Sequence, residues 1–140
     1  MRDGYRTPKE DVNRLHYEPH ELRVFENIEC EWPMFFAYLA LDACFREQYK
    51  LAMEYMEKLE AVMVTLPSGF KVVPESYAVR LETMDLEIQD HGSQDRDPKG
   101  KMPHIWGQSL YLLAKLVTDN IITPGEIDPL GRRMVIHSFK

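Results

Sequence analysis

The stretch "FENIECEW", Phe25 to Trp32, sets the carboxylates of Glu26, Glu29 and Glu31 and the thiol of Cys30 directly before a strongly apolar run. Acids at that point have two uses. They stabilise the positive end of a helix by about 0.3–1 kcal/mol each, or they rim a sugar-binding or partner-binding cleft. Glu29, farther outside the helix, is the better ligand candidate of the pair Glu29 and Glu31. A second constellation is Trp106-Gly107-Gln108, after Pro103-His104. An indole beside an amide suits sugar stacking plus hydroxyl recognition. The same Trp on an apolar helix is more often core, and the glycine more often permits close helix contact. Other chemistry is poorly supplied. His16 and His20 have i, i+4 spacing, but Pro19 interrupts a helix there, and His91, His104 and His137 are scattered, so no metal site is expected. Cys30 and Cys44 adjoin apolar residues, where thiols are usually inert, and no Cys–His pair is apparent. No cofactor is implied.

The elements carrying these residues are constrained by composition. The chain has 140 residues, 44% hydrophobic and 29% charged, with net charge −6. These values suit one soluble domain or a piece of one. No basic stripe is present, which argues against a nucleic-acid partner. With both cysteines near one helix, their separation would be roughly 20 Å at ~1.5 Å per residue, too far for a disulfide. Unpaired thiols without a signal peptide indicate a cytosolic location. No apolar run approaches the ~20 residues that span a bilayer.

Residues 1–20 read as a polar, turn-rich arm. The first strong helix is predicted from Glu31 to about Glu47, with Pro33 in its first turn. It is apolar on nearly every face and so must be buried on most sides. Gln48 to Val64 is one-sided: Tyr49, Ala52, Met53, Met56, Leu59 and Met63 against Lys50, Glu54, Glu57, Lys58 and Glu60. That predicts an amphipathic surface helix, closed by Pro67-Ser68-Gly69. Lys71 to Val79 is β-like and broken by Pro74. Leu81 to Gln89 predicts a short acidic helix of ambiguous phase, and Asp90 to Lys101 a charged loop. Ile105 to Ile122 is a third helix, apolar on most faces, ended by Pro124-Gly125. Buried helix, surface helix, decorated loop, buried helix is the order of a two-layer α/α toroid. So few elements cannot cover two all-apolar helices, which predicts a part of a larger domain and poor stability of the chain alone.

Four blocks, "RDGYRTPKEDVNRL", "FENIECEWPMFF", "GKMPHIWGQSLYLLAKL" and "ITPGEIDPLGRR", closely resemble the phosphorylase b kinase regulatory subunits, the alpha type more than the beta. The resemblance runs from about Arg2 to Arg133. It implies an all-α fold: residues 1–133 as the C-terminal part of a glucoamylase-like (α/α)6 toroid of the six-hairpin glycosidase type, with a long loop holding short β-like segments. Residues 134–140 form a divergent or truncated tail. The family's large subunits join a kinase catalytic subunit, the other large regulatory subunit and calmodulin in the complex that controls glycogen breakdown. The expectation is therefore a regulatory, non-catalytic chain in the cytoplasm. Consistent with that, there is no Gly-rich nucleotide loop, His-Arg-Asp or Asp-Phe-Gly. Full-length members resemble prenylated, membrane-associated proteins at their far C-termini; this chain ends without Cys-a-a-X. "GRRMVIHSFK" is basic and partly apolar but short for a calmodulin target.

The same resemblance implies an enzymatic alternative, hydrolysis or binding of α-glucan. "GFKVVPESY" resembles the loop that holds the base glutamate of glucoamylases, placing Glu75 in the base position with Tyr77 beside it. Pro74 stands where that pattern has serine. Inverting hydrolysis needs a second carboxylate roughly 6.5–9.5 Å away, and that acid would lie upstream of residue 1. The saccharide-cleft candidates are thus Glu29, Glu75, Tyr77, Trp106 and Gln108, with an oligosaccharide as ligand and Glu75 as a vestigial base.

Overall fold

The computed structural model describes residues 7, 9–11 and 13–132; the tail 134–140, with His137, lies outside them. Three helices form the frame. Helix α1 (Met34–Phe45) starts three residues later than its sequence predicts. The cause is Glu31: its N–H donates to the Tyr77 carbonyl at 2.9 Å, and its carbonyl accepts from the Tyr77 N–H at 2.7 Å. That extended bridge keeps Glu31 out of the helix, so no acid lies in the first turn and Pro33 holds the N-cap position. Glu47, at φ +59°, turns the chain into α2 (Tyr49–Ala61).

Helix α2 buries Ala52, Met56 and Leu59, the stripe read from its periodicity, while Tyr49 and Met53 stay about half exposed. Leu59 packs near Ala37 at the start of α1, and Ala52 near Ala43 and Cys44 at its end. The two helices are therefore antiparallel. Helix α4 (Ile105–Thr118) lies along the other side of α1. Gly107 faces Met34, so closely that an added Cβ would stand 3.2 Å from the Met34 Cβ. Farther along, Ala114 and Val117 meet Ala40, Leu41 and Cys44. Helices α1 and α4 are thus parallel, with small residues at the contacts allowing close approach.

The two strongly apolar helices are not sheathed. Phe35 is 55% exposed, Ile105 72% and Trp106 57%, and Leu39, Leu112 and Leu116 are also open. Tyr38 and Trp106 meet edge to face with centroids 6.4 Å apart. This contact joins the bare faces of α1 and α4 into one surface.

Between α2 and α4 the chain builds two small antiparallel sheets. Strands β1 (Val64–Thr65) and β2 (Lys71–Val72) form a hairpin across the Pro67-Ser68-Gly69 turn. Strands β3 (Ser76–Val79) and β4 (Arg96–Lys99) pair with Val79 opposite Arg96. The charged loop of the sequence thus contains a strand, which the polar run Arg96-Asp-Pro-Lys99 conceals. Helix α3 (Met84–Gln89) lies between β3 and β4 and buries Met84 and Glu87, while Leu86 faces out. Helix α4 stops at Thr118, with Asn120 at φ +59°. Pro124 begins a further turn, α5 (Pro124–Ile127), through a Thr123/Glu126 capping box, where the sequence had suggested only a helix stop. The molecule is helix-rich with two small sheets. No helix among the described residues is long and apolar enough to cross a membrane.

Candidate functional site

The N-terminal ends of α1 and α4 meet the β2–β3 segment, and most of the residues singled out in the sequence converge there. Val73 is fully buried, and its main chain is held on both sides by the start of α4. Its N–H donates to the side-chain oxygen of Gln108 at 2.9 Å, and its carbonyl accepts the His104 N–H at 2.9 Å. His104 caps α4, Nδ1 accepting the Gly107 N–H at 3.3 Å. Its ring lies edge to face with Trp32 at 6.1 Å. The Gln108 carbonyl oxygen is therefore committed to backbone.

Pro74 follows, and then Glu75, whose N–H donates to the Lys101 carbonyl at 3.1 Å. The Glu75 carboxylate accepts the Lys101 N–H at 2.8 Å. It lies over Gly100, where a Cβ would stand 2.4 Å from its Oε2. Gly100 has φ +78°, so both conformation and space call for glycine. The half-buried Tyr77 donates its hydroxyl to the Val62 carbonyl at 2.6 Å, and burial pushes its pKa up. Glu29 is exposed two residues before the Glu31–Tyr77 bridge, and its carbonyl accepts from Arg96. Trp106 sits apart from Glu75 and Tyr77 in its contacts, paired with Tyr38 on the open helical face.

Two central residues escaped the sequence reading. The Arg96 side chain is only 12% exposed and pairs with Glu31 at 3.1 Å and Glu87 at 3.4 Å. It also donates to the carbonyls of Asn27 and Glu29. Glu87 is fully buried. Its two carboxylate oxygens accept the N–H groups of Gly92 and Gln94 at 2.9 Å each. Those N–H groups, Gly92 first, together with Arg96, hold its pKa below the ordinary value against the opposing effect of burial. The i, i+3 spacing of Met84 and Glu87 was the one available signal, and the Asp residues flanking Arg96 made it look like a solvated charge. Burial raises the pKa of both Cys30 and Cys44, which keeps them as thiols. Among the described residues no cluster of His, Cys, Asp or Glu could hold a metal.

No protein-family model matches the chain. Phosphorylase b kinase regulatory subunit alpha, skeletal muscle isoform, of Oryctolagus cuniculus is 53% identical over 133 residues, 95% of this chain. This chain resembles that regulatory subunit. The liver isoform of Takifugu rubripes is 50% identical over 140 residues, all of the chain. A probable alpha subunit of Drosophila melanogaster is 50% identical over 134 residues, or 96%. In each case the chain spans about a tenth, 11%, of the relative's length.

Proposed function

We propose that this chain serves as a regulatory, non-catalytic segment of a phosphorylase b kinase alpha-type subunit, contributing scaffold and contact surface to the control of glycogen breakdown. The half-identity across nearly the whole chain to proteins named as that subunit carries the reading. Its partners in a full-length protein would be the kinase catalytic subunit, the other large regulatory subunit and calmodulin, in the cytoplasm. The parallel α1 and α4, with α2 antiparallel to α1 on its other side, support the repeat of an (α/α)6 toroid, and the bare faces of α1 and α4 fit further hairpins packing there. Glu75, Tyr77 and Gln108 each serve a backbone partner, which also favours scaffold over chemistry. The intact gene product should co-purify from native extract with kinase and calmodulin chains. Recovery solely as a free monomer would overturn this reading.

One observation favours a second reading, oligosaccharide binding: Trp106 stands exposed and braced by Tyr38, a stacking platform at the helix ends. Calorimetry with maltooligosaccharides tests it, and absence of heat removes it. For glucoamylase-type hydrolysis, Glu75 would have to address a water as well as the Lys101 N–H. Equal or zero activity of the intact product and its Glu75→Gln variant ends that idea.

A further inference from the structure

We propose that Arg96 joins residues 27–31 and the β3–α3–β4 insert into one cooperative unit, which opens and closes apart from the helical frame. Arg96 stands 69 residues from Asn27 and 67 from Glu29 in the chain, yet it donates to both carbonyls. The same guanidinium pairs with Glu31 and with the fully buried Glu87 of α3. Around it, the Cys30 thiol is hydrogen-bonded to Ser76 of β3, and Glu31 bridges Tyr77.

Neither half is complete without the other. Loss of Arg96 takes the donor from two main-chain carbonyls of the approach segment. It also leaves Glu87 with its two N–H partners but without the cation that offsets its buried charge. Breaking a buried ionic network at one member costs more than that member's own contacts. Disorder in α3 and disorder in residues 27–31 should therefore come together.

The unit has a clean boundary with the frame. Ile28, Ala78, Val79 and Met84 are buried, yet they stand outside the apolar clusters that α1, α2 and α4 share. Among the described residues β3 and β4 contact each other broadly, as the three helices do, but no strand or helix of the insert has broad contact with that frame. The Tyr77 hydroxyl on the Val62 carbonyl is a narrow tie across this boundary. Sub-global opening follows such boundaries. This device goes beyond the regulatory reading and does not depend on it.

The two thiols report on the two sides. Cys30 is half-buried in the approach segment, and Cys44, 1% exposed, lies in the core of the frame. Alkylation of the full chain by iodoacetamide, with each site followed by mass spectrometry, tests the proposal. Arg96→Met should speed Cys30 labelling by about tenfold or more. Loss of the cation would by itself slow it, because Arg96 favours the Cys30 thiolate, so acceleration reports opening. Glu87→Gln puts an amide where two N–H groups and Arg96 need an acceptor, and should speed Cys30 labelling about two- to tenfold. In both variants Cys44 should label at the wild-type rate. Cys44 accelerating in step with Cys30 would show that the frame opens too, and would overturn the proposal. So would an unchanged or slower Cys30 in Arg96→Met. Acceleration by Arg96→Met without any by Glu87→Gln would mean that the approach segment loosens alone, which overturns the coupling.

Discussion

The helical frame and the β3–α3–β4 insert are held in opposite ways. In the frame, α1, α2 and α4 share an apolar core of small and medium side chains, Ala37, Ala40, Cys44, Met56, Leu59 and Ala114 among them. Its contacts are non-directional, and two of its faces remain bare. In the insert, Ala78, Val79 and Met84 are buried, and directed polar contacts add to the order: Arg96 with Glu31 and Glu87, Glu87 with Gly92 and Gln94, and Arg80 with Asp97 at 2.9 Å. The frame tolerates an incomplete surface because each lost contact costs little. The insert would not tolerate an incomplete network, since a buried carboxylate without partners is costly.

Mutations should separate the two. Leu59→Ala, at a position with no exposure, should lower stability by about 2–5 kcal/mol, read as a shift of the denaturant midpoint in the helical signal. Equal stability would mean that α2 does not share the core of α1. In the insert, Gly100→Ala meets both a positive φ and the Glu75 carboxylate, with an expected cost of about 1–3 kcal/mol. Its loss should be smaller in Glu75→Ala/Gly100→Ala, because the clash with the carboxylate vanishes while the 2.8 Å approach to the Cβ of residue 75 and the backbone part stay. A double-mutant cycle without coupling would contradict the packing of Glu75 over Gly100.

These two regions were not equally legible in the sequence. Helix α2 was readable because Ala52, Met56 and Leu59 recur on one face with charges opposite. The existence of α1 and α4 was also readable, but not the start of α1, which a long-range bridge from Glu31 to Tyr77 decides. Strand β4 and the Arg96–Glu87 pair left almost no local trace. A polar strand has no hydrophobic alternation, and a buried carboxylate is defined by partners five and seven residues away in a turn. For the same reason Gln108 and Glu75 were recognisable as polar groups in a special place, while their attachment to Val73 and Lys101 was not.

Acid should act on the insert first. The Glu87 pKa is depressed below 4.5 in the folded state, so its contribution is fully present above the unfolded value. It is lost as pH falls through the folded one. Glu21, lowered to about 2 by its Arg14 hydrogen bond, and Asp97, lowered chiefly by Arg80, act in the same direction. Stability measured from pH 7 downward should therefore fall below pH 4.5, and Glu87→Gln should make that fall shallower. An unchanged slope would place the titrating group elsewhere.

The smallest effect on stability should come from the bare faces. Phe35→Ser with Leu112→Gln should each change stability by about 0.5 kcal/mol or less. Sedimentation should nonetheless show less self-association of the chain, because the exposed apolar surface is what adheres. Unaltered association would mean that these faces are not the adhesive ones.

The hold of α4 on Val73 also acts as a check on strand register. Its N–H and carbonyl are both answered by the first turn of α4, and the next residue, Pro74, has no N–H to give. A slip by one residue would bring Pro74 to Gln108, turn Val73 outward and leave the amide without a donor. The correct pairing is therefore the one in which these groups agree.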